Sequence, residues 1–305
     1  MSPATACYIG RFAPSPTGKL HFGSLVTAVA SYLDAKAHNG QWLVRIEDLD
    51  PPREEPGAAD SILRSLEAHH LFWDQTPVYQ SQRLEAYQLA LNRLADFVYP
   101  CCCTRQRLSK MQGRYDGHCI QNPPTDINGT ALRLPIDLLD SNQSNSVENF
   151  EDCFLGKQYF PLTNTGDFVL RRKDHLFAYQ LAVAVDDAYQ GITHVIRGYD
   201  LLDSTSRQRY LLALFNKPLP DYGHTPLVLG SDGNKLSKQT KAKSLKNSQA
   251  MENLYAALVF LGYAIPKHLG VSNCSELLNW ARDHWRREQV PRHSSTFSSL
   301  TCDMP

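Results

Sequence analysis

The chain has 305 residues, with 31 basic residues balanced by 31 acidic ones. A formal charge of zero excludes a uniformly basic nucleic-acid binder, though not a local basic patch, and 42% hydrophobic with 20% charged residues excludes the disordered and low-complexity classes. No apolar run reaches the ~20 residues of a membrane span, and Met1 to Thr5 lack the basic and apolar regions of a signal peptide.

Residues 1–98 read as alternating strands and helices. Cys7 to Phe12 is a short apolar strand stopped by Pro14, Pro16 and Gly18, and Leu25 to Ala37 repeats apolar residues on one helical face. Trp42 to Ile46 is a second strand, Ala58 to His70 a second helix, and residues 82–97 a third. Short connections between alternating elements imply an α/β fold with a parallel sheet. The pattern breaks over 99–165, where strand-like pieces (Ala131 to Leu134, Gln158 to Phe160) stand among polar loops, so this stretch reads as an insertion. It resumes over 166–246 with strand Phe168 to Arg171, helix Phe177 to Tyr189, strand His194 to Arg197 and helix Ser204 to Phe215. Residues 247–287 form a short, mostly helical region (Met251 to Leu261, Ser275 to Arg287), and 288–305 a Ser-, Thr- and Pro-rich tail expected to fray.

Half of the eight cysteines, Cys101, Cys102, Cys103 and Cys119, are clustered, whereas Cys7, Cys153, Cys274 and Cys302 are scattered. Paired cysteines of a secreted scaffold spread through a shorter chain. Clustering in a chain this long points to metal binding in a reducing compartment, with a cytoplasmic location as the default.

Two segments carry chemistry. Arg11 to Ser24 ends a strand, passes a loop shaped by two prolines and a glycine, and enters a helix behind His21. Free N–H groups at a helix start seat phosphate, and Gly23 lets a planar ring approach the backbone. Asp232 to Lys238 is a turn followed by Lys235 and Lys238, with Lys241, Lys243 and Lys246 close behind and no acid among them. Alone, the first reads equally as a connection and the second as a solvated lysine face. Together they suit phosphate neutralisation in transfer chemistry.

The first segment resembles the HIGH signature of class I aminoacyl-tRNA synthetases, and Lys235-Leu236-Ser237-Lys238-Gln239 resembles their KMSKS loop. Gly10 to Ser24, followed by Arg45 to Arg53 and His194 to Leu202, is similar to the glutamyl-tRNA synthetase family in particular. Members charging tRNA(Glu) carry a long helical anticodon-binding region after the lysine loop. This chain ends at Pro305 and adds the cysteine cluster, which resembles the truncated branch of the family, the glutamyl-queuosine tRNA(Asp) synthetases.

The resemblance implies a Rossmann-type catalytic domain with an inserted zinc-containing subdomain. It implies ATP-dependent activation of L-glutamate to glutamyl-adenylate, independent of tRNA, and transfer to the queuosine base in the anticodon of tRNA(Asp). Arg11, Ser15, Glu47, Tyr179 and Arg197, with the adjoining Phe12, Ala13 and Pro14, would hold glutamate. Guanidinium forks suit its carboxylates and Glu47 its ammonium, and either arginine fits the side-chain carboxylate. ATP with Mg²⁺ would lie against Pro14, Gly23 and Ser24, with His21 and Lys238 as catalytic residues and Lys235 beside them. Ser24 replaces the usual final histidine of the motif. One structural Zn²⁺ per chain is implied, held by Cys101, Cys103, Cys119 and Tyr115; generic ligand frequencies nominate His118 as the fourth ligand instead. Cys102 is expected to point away. The alternatives are a glutamyl-tRNA(Glu) synthetase lacking its anticodon-binding domain and a non-catalytic glutamate- or ATP-binding paralogue. The presence of His21, Glu47 and Lys238 speaks for catalysis.

Overall fold

A computed structural model describes residues 7–111, 114–230, 244–266 and 269–296. Met1 to Thr5 and Cys302 lie outside the described residues.

Strand β1 (Ile9–Phe12) leads through the proline-rich loop into helix α1 (Phe22–Ala37), which starts earlier than the expected Leu25. His21 is the reason: its Nδ1 accepts the Ser24 N–H at 3.3 Å and satisfies one of the free donors at the helix start. Leu25, Val26, Ala28, Val29 and Leu33 are all buried, as befits a helix covered on several sides. The helix turns out through Asn39 at φ 53°. Gly40 then passes so close to Tyr8 that a Cβ would stand 2.6 Å from it. Strand β2 (Gln41–Ile46) buries five consecutive residues, the mark of a parallel strand covered on both faces.

Helix α2 (Ala58–Ala68) stops short of the expected His70, which adopts φ 56°. Strand β3 (Val78–Tyr79) and helix α3 (Leu84–Arg93) follow; α3 is shorter at both ends than the expected 82–97, being preceded by a 3₁₀ turn over Gln80–Arg83. Then come β4 (Tyr99–Cys101), α4 (Arg105–Ser109), α5 (His118–Gln121), β5 (Ala131–Leu134), α6 (Ser141–Glu148), β6 (Asn149–Asp152), β7 (Gly156–Tyr159) and β8 (Phe168–Arg171). The rest of the chain supplies α7 (Tyr179–Tyr189), β9 (His194–Gly198), α8 (Ser204–Leu214), β10 (Asp221–Thr225), β11 (Val228–Leu229), α9 (Ala250–Phe260), α10 (Cys274–Asp283) and β12 (Ser295–Thr296).

The main sheet has the order β3-β2-β1-β9-β10-β6-β7, parallel except for the β6–β7 hairpin. Early strands run one way from β1 and later strands the other, so the order reverses between β1 and β9, as in doubly wound sheets. A small sheet, β4-β5-β8, is antiparallel. The insertion expected over 99–165 therefore does not coincide with one sheet. β6 and β7 join the main sheet, whereas β8, expected to resume the α/β pattern, pairs with β5. Its alternating burial is that of a strand covered on one face.

The tail expected to fray from Glu288 is held as far as Thr296. A 3₁₀ turn spans Arg287–Gln289, Val290 is 2% exposed, and β12 pairs parallel with β11. Beneath it the buried Asp34 of α1 accepts hydrogen bonds from Tyr8 Oη at 2.6 Å, Trp285 Nε1 at 2.8 Å and the Arg287 guanidinium at 2.8 Å. Among the described residues no helix is long and apolar enough to cross a membrane.

Candidate active site

Beside the strand-order reversal, where the C-terminal ends of β1, β2, β9 and β10 meet, lies a cavity of about 440 Å³. Open parallel sheets take their ligands at this position. Arg11, Phe12, Ala13, Pro14, Ser15, His21, Gly23, Ser24, Glu47, Tyr179 and Arg197 all line it. Lys235 and Lys238 lie outside the described residues, as do Lys241 and Lys243. Both flanks of that segment nevertheless reach the cavity: Val228 lines it, and Ser244 bridges to His21, with Leu245 N donating to Leu20 O at 3.0 Å.

The loop after β1 is fastened to the end of β2 by Glu47 N donating to Pro14 O at 3.0 Å, and Glu55 N donates to Pro16 O at 3.0 Å. The ring of His21 is turned toward Ser24: Nδ1 accepts the Ser24 N–H, and Nε2 stands 3.0 Å from Ser24 Oγ. That arrangement assigns the proton to Nε2. The serine that replaces the motif's last histidine thus partners the one that remains.

The two arginines differ in their surroundings. Arg11 is ion-paired with Asp187, Nε to Oδ1 at 3.1 Å. Arg197, 3% exposed, donates to His224 Nε2 at 3.0 Å, Gln208 Oε1 at 2.6 Å and Thr205 Oγ1 at 2.8 Å. Its direct partners carry no negative charge, so the buried cation is free to receive an anion from the cavity.

Arg45, near the end of β2, stands two residues before Glu47 and on the same side of the extended chain. It donates to Asp187 Oδ1 and Gln190 Oε1, both at 2.8 Å, and its Nη2 lies 3.5 Å from Glu47 Oε1. Asp186 accepts from Tyr87 Oη at 2.6 Å, Gln80 Nε2 at 2.9 Å and Arg83 Nε. Burial pushes the Glu47 carboxyl up to about 7, against the opposing pull of Arg45 and Arg11 and with the repulsion of Asp187 and Asp186. Burial pushes Asp187 the same way, but Arg11 and Arg45 prevail and hold it below the usual range.

Arg45, Asp186, Asp187, Asp152 and His224 were not among the residues singled out from sequence. Two adjacent aspartates in the mostly apolar α7 were the available signal, since unpaired acids do not stay buried.

Cys101, Cys103 and Cys119 bring their sulfurs within 4.8 Å of one another, all three buried. Tyr115 Oη stands 3.6 Å from Cys101 Sγ and 3.8 Å from Cys103 Sγ and accepts the Cys119 N–H at 2.9 Å. The His118 ring instead meets Asn122. Cys102 is exposed, with its sulfur 4.0 Å from that of Cys119. Tyr115 is fixed by Thr165 and by Gly166 at φ 65°, where a Cβ would stand 2.4 Å from the Tyr115 carbonyl oxygen. Arg133 donates to Cys101 Sγ at 3.2 Å and lies over the Tyr115 ring. Burial opposes ionisation of Cys119, yet hydrogen bonding from Tyr115 and the neighbouring cysteines brings its thiol down to about 6. Three sulfurs, one of them readily ionised, and a phenolic oxygen around one point can hold a metal ion.

A Rossmann-like sheet with this cavity at its switch point defines the class, and residues 9–279 match the family model of the class I tRNA synthetase (E and Q) catalytic domain, so the chain belongs to that family. It is 48% identical over 291 residues to the glutamyl-Q tRNA(Asp) synthetase of Serratia proteamaculans (strain 568), covering 94% of this chain and 93% of that one. It is 49% identical over 301 residues to the glutamyl-Q tRNA(Asp) synthetase of Thiobacillus denitrificans, covering 96% and 97%. Within the class the chain belongs with the glutamyl-Q tRNA(Asp) synthetases. The fold is that of the glutamate-tRNA synthetase from Elizabethkingia anophelis, with a TM-score of 0.77 at 23% identity, covering 96% of this chain and 68% of that chain.

Proposed function

We propose that this protein activates L-glutamate with ATP, without tRNA, and transfers the glutamyl group to the queuosine base in the anticodon of tRNA(Asp). The observation that carries this reading is the single cavity in which Arg11, Arg197, Glu47 and the His21 loop meet. Glutamate presents two carboxylates and an ammonium; the arginines take the former, Glu47 the latter, and Ser15 and Tyr179 add neutral hydrogen bonds. ATP, accompanied by Mg²⁺, lies against the Pro14 to Ser24 loop and the start of α1, with Lys235 and Lys238 brought to its phosphates from the flanking segment. The α-carboxylate oxygen attacks the α-phosphorus and pyrophosphate leaves. A hydroxyl of the queuosine cyclopentene-diol then attacks the activated carbonyl, and AMP leaves. Positioning and charge stabilisation do most of this work.

Cys101, Cys103, Cys119 and Tyr115 would hold one structural Zn²⁺, which ties α5 to the edge of the small sheet and takes no part in adenylation.

The test is incubation of tRNA(Asp) with protein, ATP and labelled glutamate, followed by nuclease mapping and mass spectrometry. Label is expected on the queuosine base and is expected to be absent from tRNA(Asp) lacking queuosine. Label on the 3′-terminal adenosine would overturn the reading.

A further inference from the structure

We propose that Asp152 and His224 are positioning residues that hold Arg197 with its free N–H groups directed at the substrate carboxylate. This deepens the reading above, because it rests on Arg197 as a carboxylate ligand. Asp152 and His224 come from β6 and β10, stand outside the lining of the cavity, and are 2% and 0% exposed.

The chain of contacts permits one arrangement of protons. Arg197 Nε can only donate, so His224 Nε2, 3.0 Å away, accepts. The imidazole proton therefore sits on Nδ1, facing Asp152 Oδ2 at 2.5 Å. Asp152 is itself fixed, its Oδ1 accepting from the backbone N–H groups of Phe154 and Leu155 at 3.0 Å and of His224 at 3.2 Å. Burial keeps the His224 ring neutral, with its pKa held down to about 4 despite the Asp152 carboxylate.

A neutral ring between an acid and a guanidinium has a specific consequence. Arg11, in direct contact with Asp187, has its charge met by the protein. Arg197 is separated from Asp152 by the width of an imidazole, and Gln208, Thr205 and the Tyr222 ring complete its surroundings. Three of its five N–H groups are used, leaving one on each terminal nitrogen. Two parallel donors on one guanidinium are what a carboxylate takes in a bidentate pair. The Asp152–His224 pair thus orients the fork without neutralising it.

Asp152→Asn is the discriminating variant. Its oxygen can still serve the three backbone donors, but its amide would donate to His224 Nδ1 and force the ring proton onto Nε2, opposite the Arg197 Nε–H. In glutamate-dependent ATP–pyrophosphate exchange, the KM for glutamate should rise at least about tenfold, with kcat and the KM for ATP much less changed. Imidazole ¹⁵N spectra should show the His224 proton on Nδ1 in the unaltered protein and on Nε2 in the variant. His224→Gln, whose amide oxygen can accept from Arg197, should retain more glutamate affinity than His224→Ala, and this comparison decides the matter if Asp152→Asn does not fold. An unchanged glutamate KM in Asp152→Asn, equal losses in His224→Gln and His224→Ala, or an Nε2 proton in the unaltered protein would overturn the inference. Absence of any exchange in the unaltered protein would instead overturn the proposed activity, while the spectra would still test the proton arrangement.

Discussion

Arg45 Nη2 approaches Glu47 Oε1 to 3.5 Å in the interior, yet that oxygen accepts no hydrogen bond. Arg45 donates to Asp187 and Gln190 through Nη1 alone, and its Nη2, itself without a hydrogen-bond partner, lowers the cost of a charge on Glu47 from 3.5 Å without consuming the acceptor. Glu47 lines the cavity, and a carboxylate there suits an ammonium group.

Glutamate affinity should accordingly depend on pH. Glu47 titrates near 7, among Arg45, Arg11, Asp187 and Asp186 with Tyr179 beside it. Below that pH it is neutral and offers the substrate ammonium no charge; above it the carboxylate is present, so binding should strengthen from about pH 6 to about pH 8. Calorimetric titration in buffers of different ionisation enthalpy should register proton release on binding near neutrality. Glu47→Gln should bind more weakly and lose the pH dependence; a flat profile in the unaltered protein would refute the assignment.

Replacing Arg45 by Met should be costly for stability as well as activity. It would leave Asp186 and Asp187 buried with a counter-ion missing, and loss of one partner from a buried ion network costs about 3–5 kcal/mol. Urea unfolding gives the number directly. A loss below about 1 kcal/mol, within the range of surface pairs, would mean that the network is not the support described.

Lys238→Ala should lower the rate of adenylation at least about tenfold, on the order of 1.4 kcal/mol, while glutamate binding changes much less. Equal loss of both would mark the lysine segment as structural. Pyrophosphate exchange set beside equilibrium binding separates the two outcomes.

Elemental analysis of protein purified without chelator should find one zinc per chain, and Cys103→Ser should lose it. The variant should suffer more in use of tRNA than in adenylate formation, because the cysteine cluster stands on the small sheet, away from the cavity. Metal-free protein with full transfer activity would contradict the assignment.

Elements with a regular apolar pattern were legible in the sequence: β2 and α1 differ from expectation only at their ends. Two were not. Strand β10, Asp221–Thr225, has the composition of a turn, and its burial depends on partners distant in sequence, His224 on Asp152 and Thr225 on Arg197. Helix α6 has one buried apolar residue, Val147, and owes its start to the capping pair Asp140 and Gln143. The same division holds at the site. Most residues that line the cavity belong to contiguous motifs, Tyr179 excepted, whereas Arg45 and His224 act through side chains far along the chain, and only the adjacent pair Asp186 and Asp187 gave a local signal.

The order in which the chain is synthesised gives the placement of α1 a further meaning. This helix is made well before α9 and α10, which with Trp285 cover part of its apolar surface, and Asp34 meets its partners Trp285 and Arg287 only 251 and 253 residues further along the chain. The cluster built from α3, α7 and α8 has its buried residues between Tyr87 and Leu212 and can close well before that. A nascent chain would therefore carry an assembled middle, and a first helix covered by the strands alone, until residues 250–290 emerge. During that interval the side of α1 that α9 and α10 later cover is the surface most in need of a holding chaperone.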